Sequence, residues 1–177
     1  PHVMDVAEEK NPDPADIRVV TTSTYSTFLK ISEGCDNRCT YCVIPAIRGK
    51  YKSRTMEELV AETQYLASLG MKELLLVAQD VTRYGVDLYG KKMLPELIHA
   101  IAQVEGIEWI RLLYCYPEEI DDALIECILS EPKVCHYIDM PIQHSNTSIL
   151  KRMARRSSRE QLIDRVTRLR QAIPDIA

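Results

Sequence analysis

The feature that most constrains the fold is an alternation. Short apolar runs are followed, again and again, by segments with helical periodicity. Four runs read as strands: Phe28 to Ser32, Glu73 to Ala78, Trp109 to Tyr114 and Tyr137 to Pro141. The second contains Leu74-Leu75-Leu76-Val77, which is continuous rather than alternating, the pattern of a strand buried on both faces. After the first run, Thr55-Met56-Glu57-Glu58 has the form of a capping box, and Met56, Leu59, Val60, Thr63, Leu66 and Ala67 share one helical face. Gly70 supplies its stop. After the second run comes a polar loop, Gln79 to Lys92. Pro95 then fits the first turn of a helix with Leu97, Ile98, Ile101 and Val104 on its apolar side, ended by Gly106. After the third, Glu118 to Ser130 reads as a helix packed through Ile120, Leu124, Ile125 and Ile128. After the fourth, Asn146 caps a short helix bearing Ile149, Leu150 and Met153. A second capping box, Ser158-Arg159-Glu160-Gln161, opens a last helix with Leu162, Ile163, Val166 and Leu169, ended by Pro174. Units of roughly 30–45 residues are the size of a βα crossover. Sequential units of this kind give a parallel sheet with right-handed crossovers.

In such architectures ligands sit at the C-terminal ends of the strands. The segments that follow strands are the cysteine-bearing loop through Arg54, the Gln79 loop, the turn Tyr114-Cys115-Tyr116-Pro117 and the turn at Gln143-His144. They are expected to gather at one rim. The first places Cys35, Cys39 and Cys42 at C-x3-C-x2-C spacing, so that one short loop can turn three sulfurs toward one region. Thiolates are soft ligands that select zinc, Cu(I) or iron–sulfur clusters. A structural zinc site wants a closed set of four, whereas a cubane cluster held by three cysteines leaves one iron free. A zinc site completed by a nearby His or Cys, and a zinc-binding interaction module, stand as the alternatives.

The cysteine motif, with Tyr41 before its last cysteine, resembles the signature of the radical S-adenosylmethionine (SAM) superfamily. Ser32-Glu33-Gly34-Cys35-Asp36-Asn37-Arg38-Cys39, Val43-Ile44-Pro45 and Arg48 to Arg54 resemble the methylthiotransferases within it. Gln79-Asp80-Val81-Thr82-Arg83-Tyr84-Gly85-Val86-Asp87 and Pro141-Ile142-Gln143-His144 are similar to the branch that modifies a ribosomal protein, rather than the branch that modifies tRNA adenosine. The resemblance runs from about Phe28 to the end of the chain. It implies a partial, TIM-like βα barrel with outer helices, of which about four of six units are present. Residues 1–26, with Asn11-Pro12-Asp13-Pro14, are then expected to be a linker from an N-terminal domain, and residues 27–177 the radical SAM core, truncated before the last strands.

The resemblance further implies a 4Fe-4S cluster on Cys35, Cys39 and Cys42, with SAM chelating the open iron. One electron cleaves SAM to methionine and a 5′-deoxyadenosyl radical, and a methylthio group is added to the β-carbon of an aspartate in a small-subunit ribosomal protein. A second 4Fe-4S cluster in the N-terminal domain and an electron donor such as flavodoxin belong to the same expectation, as does a chain that binds cluster and SAM without completing methylthiolation alone. Tyr41 is a candidate to lie against adenine or cluster, or simply to pack on the rim. Gln79 is a candidate for the SAM amino group; Ala78-Gln79-Asp80 stands where the superfamily often has a Gly-Gly-Glu-like stretch. Gln143 and His144 are candidates for ribose or substrate contact. Arg48, Arg54 and Arg155 would hold a carboxylate or organise the loop, with surface salt bridges as the cheaper explanation.

Composition narrows the class. The 177 residues are 46% hydrophobic and 27% charged, enough for one domain with a real core. No run of 18 apolar residues exists, so no membrane span is expected, and the acidic start has no signal-peptide character. Cys115, Cys127 and Cys135 sit in apolar surroundings and read as buried packing residues, which fits a reducing cytoplasm. The formal charge is -4, yet residues 151–170 hold eight basic side chains against Glu160 and Asp164. This stripe would suit nucleic acid or an anionic cofactor. The plainer expectation is a solvated helix face with i,i+4 pairs.

Overall fold

The computed structural model describes residues 25–177. The expected linker, up to residue 24, lies outside the described residues. In chain order the elements are β1 (Ser26–Lys30), β2 (Ser32–Glu33), α1 (Ile44–Arg48), β3 (Lys52–Ser53), α2 (Met56–Ser68), β4 (Glu73–Val77), α3 (Val86–Tyr89), α4 (Leu94–Ala102), β5 (Trp109–Leu112), α5 (Asp122–Ser130), β6 (Val134–Ile138), α6 (Thr147–Arg152) and α7 (Arg159–Ala172). Single 3-10 turns occupy Val81–Arg83 and Pro117–Glu119. β1, β4, β5 and β6 form one parallel sheet in that order, as sequential βα units require. The architecture is the expected α/β one, a partial βα barrel with helices outside. β2 and β3 make a separate antiparallel pair of two rungs.

The core lies between the sheet and its helices. Leu29, Leu74, Leu76, Ile110 and Leu112 face it from the strands; Leu59, Leu66, Leu97, Ile101, Leu124, Ile128 and Leu169 face it from α2, α4, α5 and α7. Each fully buried Leu or Ile contributes about 1.5–3 kcal/mol. Both capping boxes form as the spacing predicts, at Thr55–Glu58 and Ser158–Gln161, and Asn146 caps α6 by accepting from the Ser148 and Ile149 amides.

Several expectations are corrected. β4 is buried on one face only: Leu74 and Leu76 are fully buried, while Leu75 and Val77 are partly open. Helices cover only the outer face, and the register sets Phe28, Leu75 and Arg111 side by side on the inner one, where Phe28 is 52% exposed. The first strand starts and ends two residues early, and the fourth runs Val134–Ile138 rather than Tyr137 to Pro141. Pro141 lacks the N–H that a ladder needs. Beyond it, Ala177 donates to the His136 carbonyl and accepts from the Ile138 amide, both at 3.0 Å, the pattern of one parallel rung on the far side of β6. The helix expected from Glu118 begins at Asp122, because Asp121 takes the capping position and accepts from the Leu124 amide. The polar segment Gln79 to Lys92 divides in two: Asp80, Val81 and Tyr84 are fully buried, while residues 87–91 are exposed and α3 lies within it. Cys115 and Cys127 are buried as expected, but Cys135 is only half-buried. In the basic window Lys151, Arg152, Arg159 and Arg170 are exposed, as a solvated face requires, but the ion pairs run across the chain rather than at i,i+4: Arg155 meets Glu118, Arg156 meets Glu119 and Arg168 meets Asp122.

Candidate functional site

The cysteine loop leaves β1 through the short β2–β3 pair. Gly34 opens it at φ +75°, and a Cβ there would stand 2.1 Å from the Lys50 carbonyl oxygen, so only glycine fits. The base of the loop is closed by the Cys35 amide donating to the Gly49 carbonyl (3.2 Å) and the Tyr51 amide donating to the Asp36 carboxylate (3.1 Å). The Cys42 amide donates to the Cys39 carbonyl at 3.1 Å, folding these two cysteines into one tight turn.

Three strand ends then close on this loop. Beyond β4, the Asp80 carboxylate accepts from the Thr82 amide (3.2 Å) and hydroxyl, and from Asn37 Nδ2 (3.2 Å) in the cysteine loop. Its carbonyl accepts from the Tyr51 hydroxyl at 2.9 Å, which in turn accepts from Ser32 Oγ at 2.9 Å. Burial pushes the Asp80 carboxyl up, against the opposing pull of the Thr82 and Asn37 hydrogen bonds. Beyond β5, the Tyr116 hydroxyl lies 3.5 Å from Cys39 Sγ. Beyond β6, the chain passes through α6, whose last carbonyls are held by the loop: Thr40 donates its amide to Met153 (3.2 Å) and its hydroxyl to Arg152 (2.9 Å). α6 ends in a Schellman turn, with Ala154 at φ +55° and the Arg155 amide donating to the Leu150 carbonyl at 2.9 Å. That turn sets the Arg155 guanidinium 4.0 Å from the Tyr116 ring.

The non-glycine residues of positive φ among those described are Tyr114, Gln143 and Ala154. All three lie in the segments that follow β5 and β6, where backbone strain commonly marks a working site.

The candidate residues do not all meet. Cys35 and Cys39 are buried, at 6% and 8% exposure, and Cys42 is exposed; all six cysteines are free thiols. Burial pushes the Cys35 thiol up, so ligation there relies on a bound cation to remove the proton. Among the described residues, no three His, Cys, Asp or Glu side chains converge as ligands of a single ion. A cubane does not need that convergence, since each thiolate takes a different iron corner. Gln79 sits at the end of β4 with its Oε1 buried and unpartnered, an acceptor suited to a ligand's N–H. Tyr41 is 52% exposed, within electrostatic reach of Cys39 and Arg155. Gln143 and His144 are exposed, and His144 Nδ1 accepts from the Asn146 amide at 2.9 Å, closing a local turn. Arg54 is committed to Glu62 and the Lys30 carbonyl, while Arg48 lies 3.7 Å from Glu33 at the surface. Asp80, Asn37, Tyr51 and Tyr116 are site residues given no role from the sequence, although they lie within the quoted motifs or in a turn just after a strand.

Together these features define a βα-barrel protein whose strand-end rim carries a cysteine loop suited to a soft metal centre. Residues 29–177 match the family model described as the radical SAM superfamily, and the chain belongs to that superfamily. Over 160 residues it is 60% identical to the ribosomal protein uS12 methylthiotransferase RimO of Lachnoclostridium phytofermentans, covering 90% of this chain and 36% of that protein. It is 57% identical over 159 residues to the protein of the same name from Acetivibrio thermocellus, covering 90% of this chain and 35% of the relative. The chain thus spans about a third of the length of the curated relatives it matches. Among solved structures, the fold is shared with the radical SAM methyltransferase TsrM from Kitasatospora setae, determined with cobalamin and a [4Fe-4S] cluster (TM-score 0.62, 18% identity, 81% of this chain and 28% of that one). It is shared also with the cobalamin-dependent radical SAM enzyme OxsB bound to aqua-cobalamin and SAM (TM-score 0.62, 15% identity, 80% and 21%). No helix among the described residues is long and apolar enough to cross a membrane.

Proposed function

We propose that this chain is the radical SAM core of a methylthiotransferase that modifies ribosomal protein uS12, adding a methylthio group to the β-carbon of an aspartate. The observation that carries this reading is the 60% identity, over nine-tenths of the chain, to a uS12 methylthiotransferase. Cys35, Cys39 and Cys42 would hold a 4Fe-4S cluster, and the donor set fits: three free thiols on one loop and no fourth cysteine within it. When bound, that cluster supplies the electron that cleaves SAM reductively. The chain's own residues do the rest. Gly34 and the Asp80 hub hold the loop in shape, burial of Cys35 and Cys39 keeps water from two of the sulfurs, and Gln79 Oε1 offers an acceptor to the SAM amino group. Tyr41 and Gln143 are placed in the same reading as contacts to SAM. A second cluster and an electron donor such as flavodoxin would complete turnover.

The test is anaerobic reconstitution of the full-length protein with iron and sulfide, followed by SAM, a reductant, and either a uS12 loop peptide or a tRNA anticodon stem-loop. 5′-Deoxyadenosine with methylthiolated peptide supports the proposal. Product on the tRNA alone moves the substrate to nucleic acid, and a colourless protein carrying zinc removes the radical reading.

A further inference from the structure

Among the described residues, Arg155 is the cation with buried N–H groups that lack a partner. Its side chain is 2% exposed. Nη2 donates to Glu118 Oε2 and to the Pro141 carbonyl, each at 3.2 Å. Nε and Nη1 are buried and have no acceptor. Leaving such donors empty costs about 1–3 kcal/mol, more for a charged group, so a buried site like this calls for an acceptor. The guanidinium plane is fixed by the Tyr116 ring at 4.0 Å, and the hydroxyl of that ring is 3.5 Å from Cys39 Sγ. The Schellman turn at Ala154 and the Thr40 contacts to Arg152 and Met153 tie Arg155 and the cysteine loop into one unit.

Resting on the cluster assignment above, we propose that Arg155 donates from its free Nε and Nη1 to the sulfur edge of the cluster at Cys39 and thereby sets the cluster's reduction potential. The cysteines and sulfides would form an anion, buried on the side of Cys35 and Cys39, that gains further negative charge on reduction. A fixed guanidinium beside it favours the reduced state, and Glu118 moderates that charge. Hydrogen bonds to the sulfurs and local charge are among the levers that set such potentials. Arg155 is a contact to the cofactor rather than to substrate.

The experiment is an EPR-monitored redox titration of the anaerobically reconstituted full-length protein and its variants, with iron content and circular dichroism measured on each. Iron uptake by the parent protein tests the cluster itself, so its absence would count against that reading and not against the role of Arg155. Arg155→Met is expected to load iron and to shift the reduction equilibrium about tenfold toward the oxidised state, about 59 mV lower for a one-electron couple. Arg155→Lys keeps the charge without the fork and should fall between. Glu118→Gln keeps an acceptor but removes the moderating charge, so it should shift the potential upward. A loaded Arg155→Met protein with the parent potential overturns the proposal, as does a Glu118→Gln shift in the same direction as Arg155→Met. Should Arg155→Met fail to load iron, the sign in Glu118→Gln decides. Unchanged potentials with weakened SAM binding would assign the donors to the SAM carboxylate instead, and also overturn it.

Discussion

Gly34→Ala tests whether the cysteine loop is held by its base. Gly34 has φ +75°, a region that costs a non-glycine residue roughly 1–2 kcal/mol. The added Cβ would meet three backbone atoms: the Lys50 carbonyl oxygen at 2.1 Å, its carbon at 2.7 Å and the Gly49 carbonyl oxygen at 2.9 Å. Ordinary carbon–oxygen contact begins near about 3.3 Å, so the Lys50 peptide must retreat by roughly 1 Å. That movement strains the Cys35–Gly49 hydrogen bond and reaches Tyr51, whose amide is tied to Asp36. One lost bond of this kind costs about 1 kcal/mol. The two rungs of β2–β3 cannot absorb the shift, so the loop base should lose roughly 2–4 kcal/mol. The cost stays local, because the hydrophobic core lies between the outer face of the sheet and the helices. Native-state hydrogen exchange at the Cys35 and Tyr51 amides should accelerate by roughly 30- to 1,000-fold, while amides of β4 and β5 that exchange through openings leaving the loop intact keep their protection. Iron retained after reconstitution should fall with it. Parent-like exchange at Cys35 together with full iron loading would refute the argument that this glycine shapes the site.

Two further outcomes are expected. Thr55→Ala removes the hydroxyl that accepts from the Glu58 amide and dismantles the capping box of α2, so urea denaturation should show a loss of about 1 kcal/mol with an unchanged slope. Glu119 is pushed up by burial, but Lys92 at 3.0 Å and Arg156 at 2.5 Å outweigh this and hold its carboxyl below the usual range. A depressed folded-state value means that its stabilisation is present above the ordinary glutamate range and is lost as pH falls through the depressed value. Glu119→Gln should therefore flatten the acid limb of a stability–pH curve, and an unaltered limb would exclude these pairs as its source.

What could be read from the chain follows the range of the forces involved. The strand–helix alternation and the caps at Thr55, Asn146 and Ser158 are set by residues within a few positions of one another, and all of them appear. The β2–β3 pair escaped notice because it is two residues on each side and polar, with no periodicity to detect. The burial of the first half of the Gln79–Lys92 segment is not legible in its polar composition. Its burial comes from partners far along the chain, as when Asp80 meets Asn37 and Tyr51. The basic window is largely solvated as expected, but its pairings were hidden for the same reason. Arg155 and Arg156 are matched by Glu118 and Glu119, each 37 residues away, a pairing that helical spacing cannot reveal.

The unsatisfied groups on the rim say something about what they await. Gln79 Oε1, beyond β4, is a buried acceptor without a donor; Arg155 Nε and Nη1, beyond β6, are buried donors without an acceptor. A lone metal cation would suit the first and repel the second. An anion alone would suit the second and leave the first unmet. Glu33 Oε1, beyond β1, is a further buried acceptor without a hydrogen-bond donor, and an occupant that offers N–H groups on one side and anionic atoms on the other would meet both kinds of group. An amino acid moiety next to an iron–sulfur cluster has this polarity, and under the proposals above its ammonium would face Gln79 and the cluster's sulfurs would face Arg155. A zinc ion on the same three cysteines would supply the positive charge but no donor for Gln79 and no fresh acceptor for the guanidinium, leaving the rim's strain without compensation.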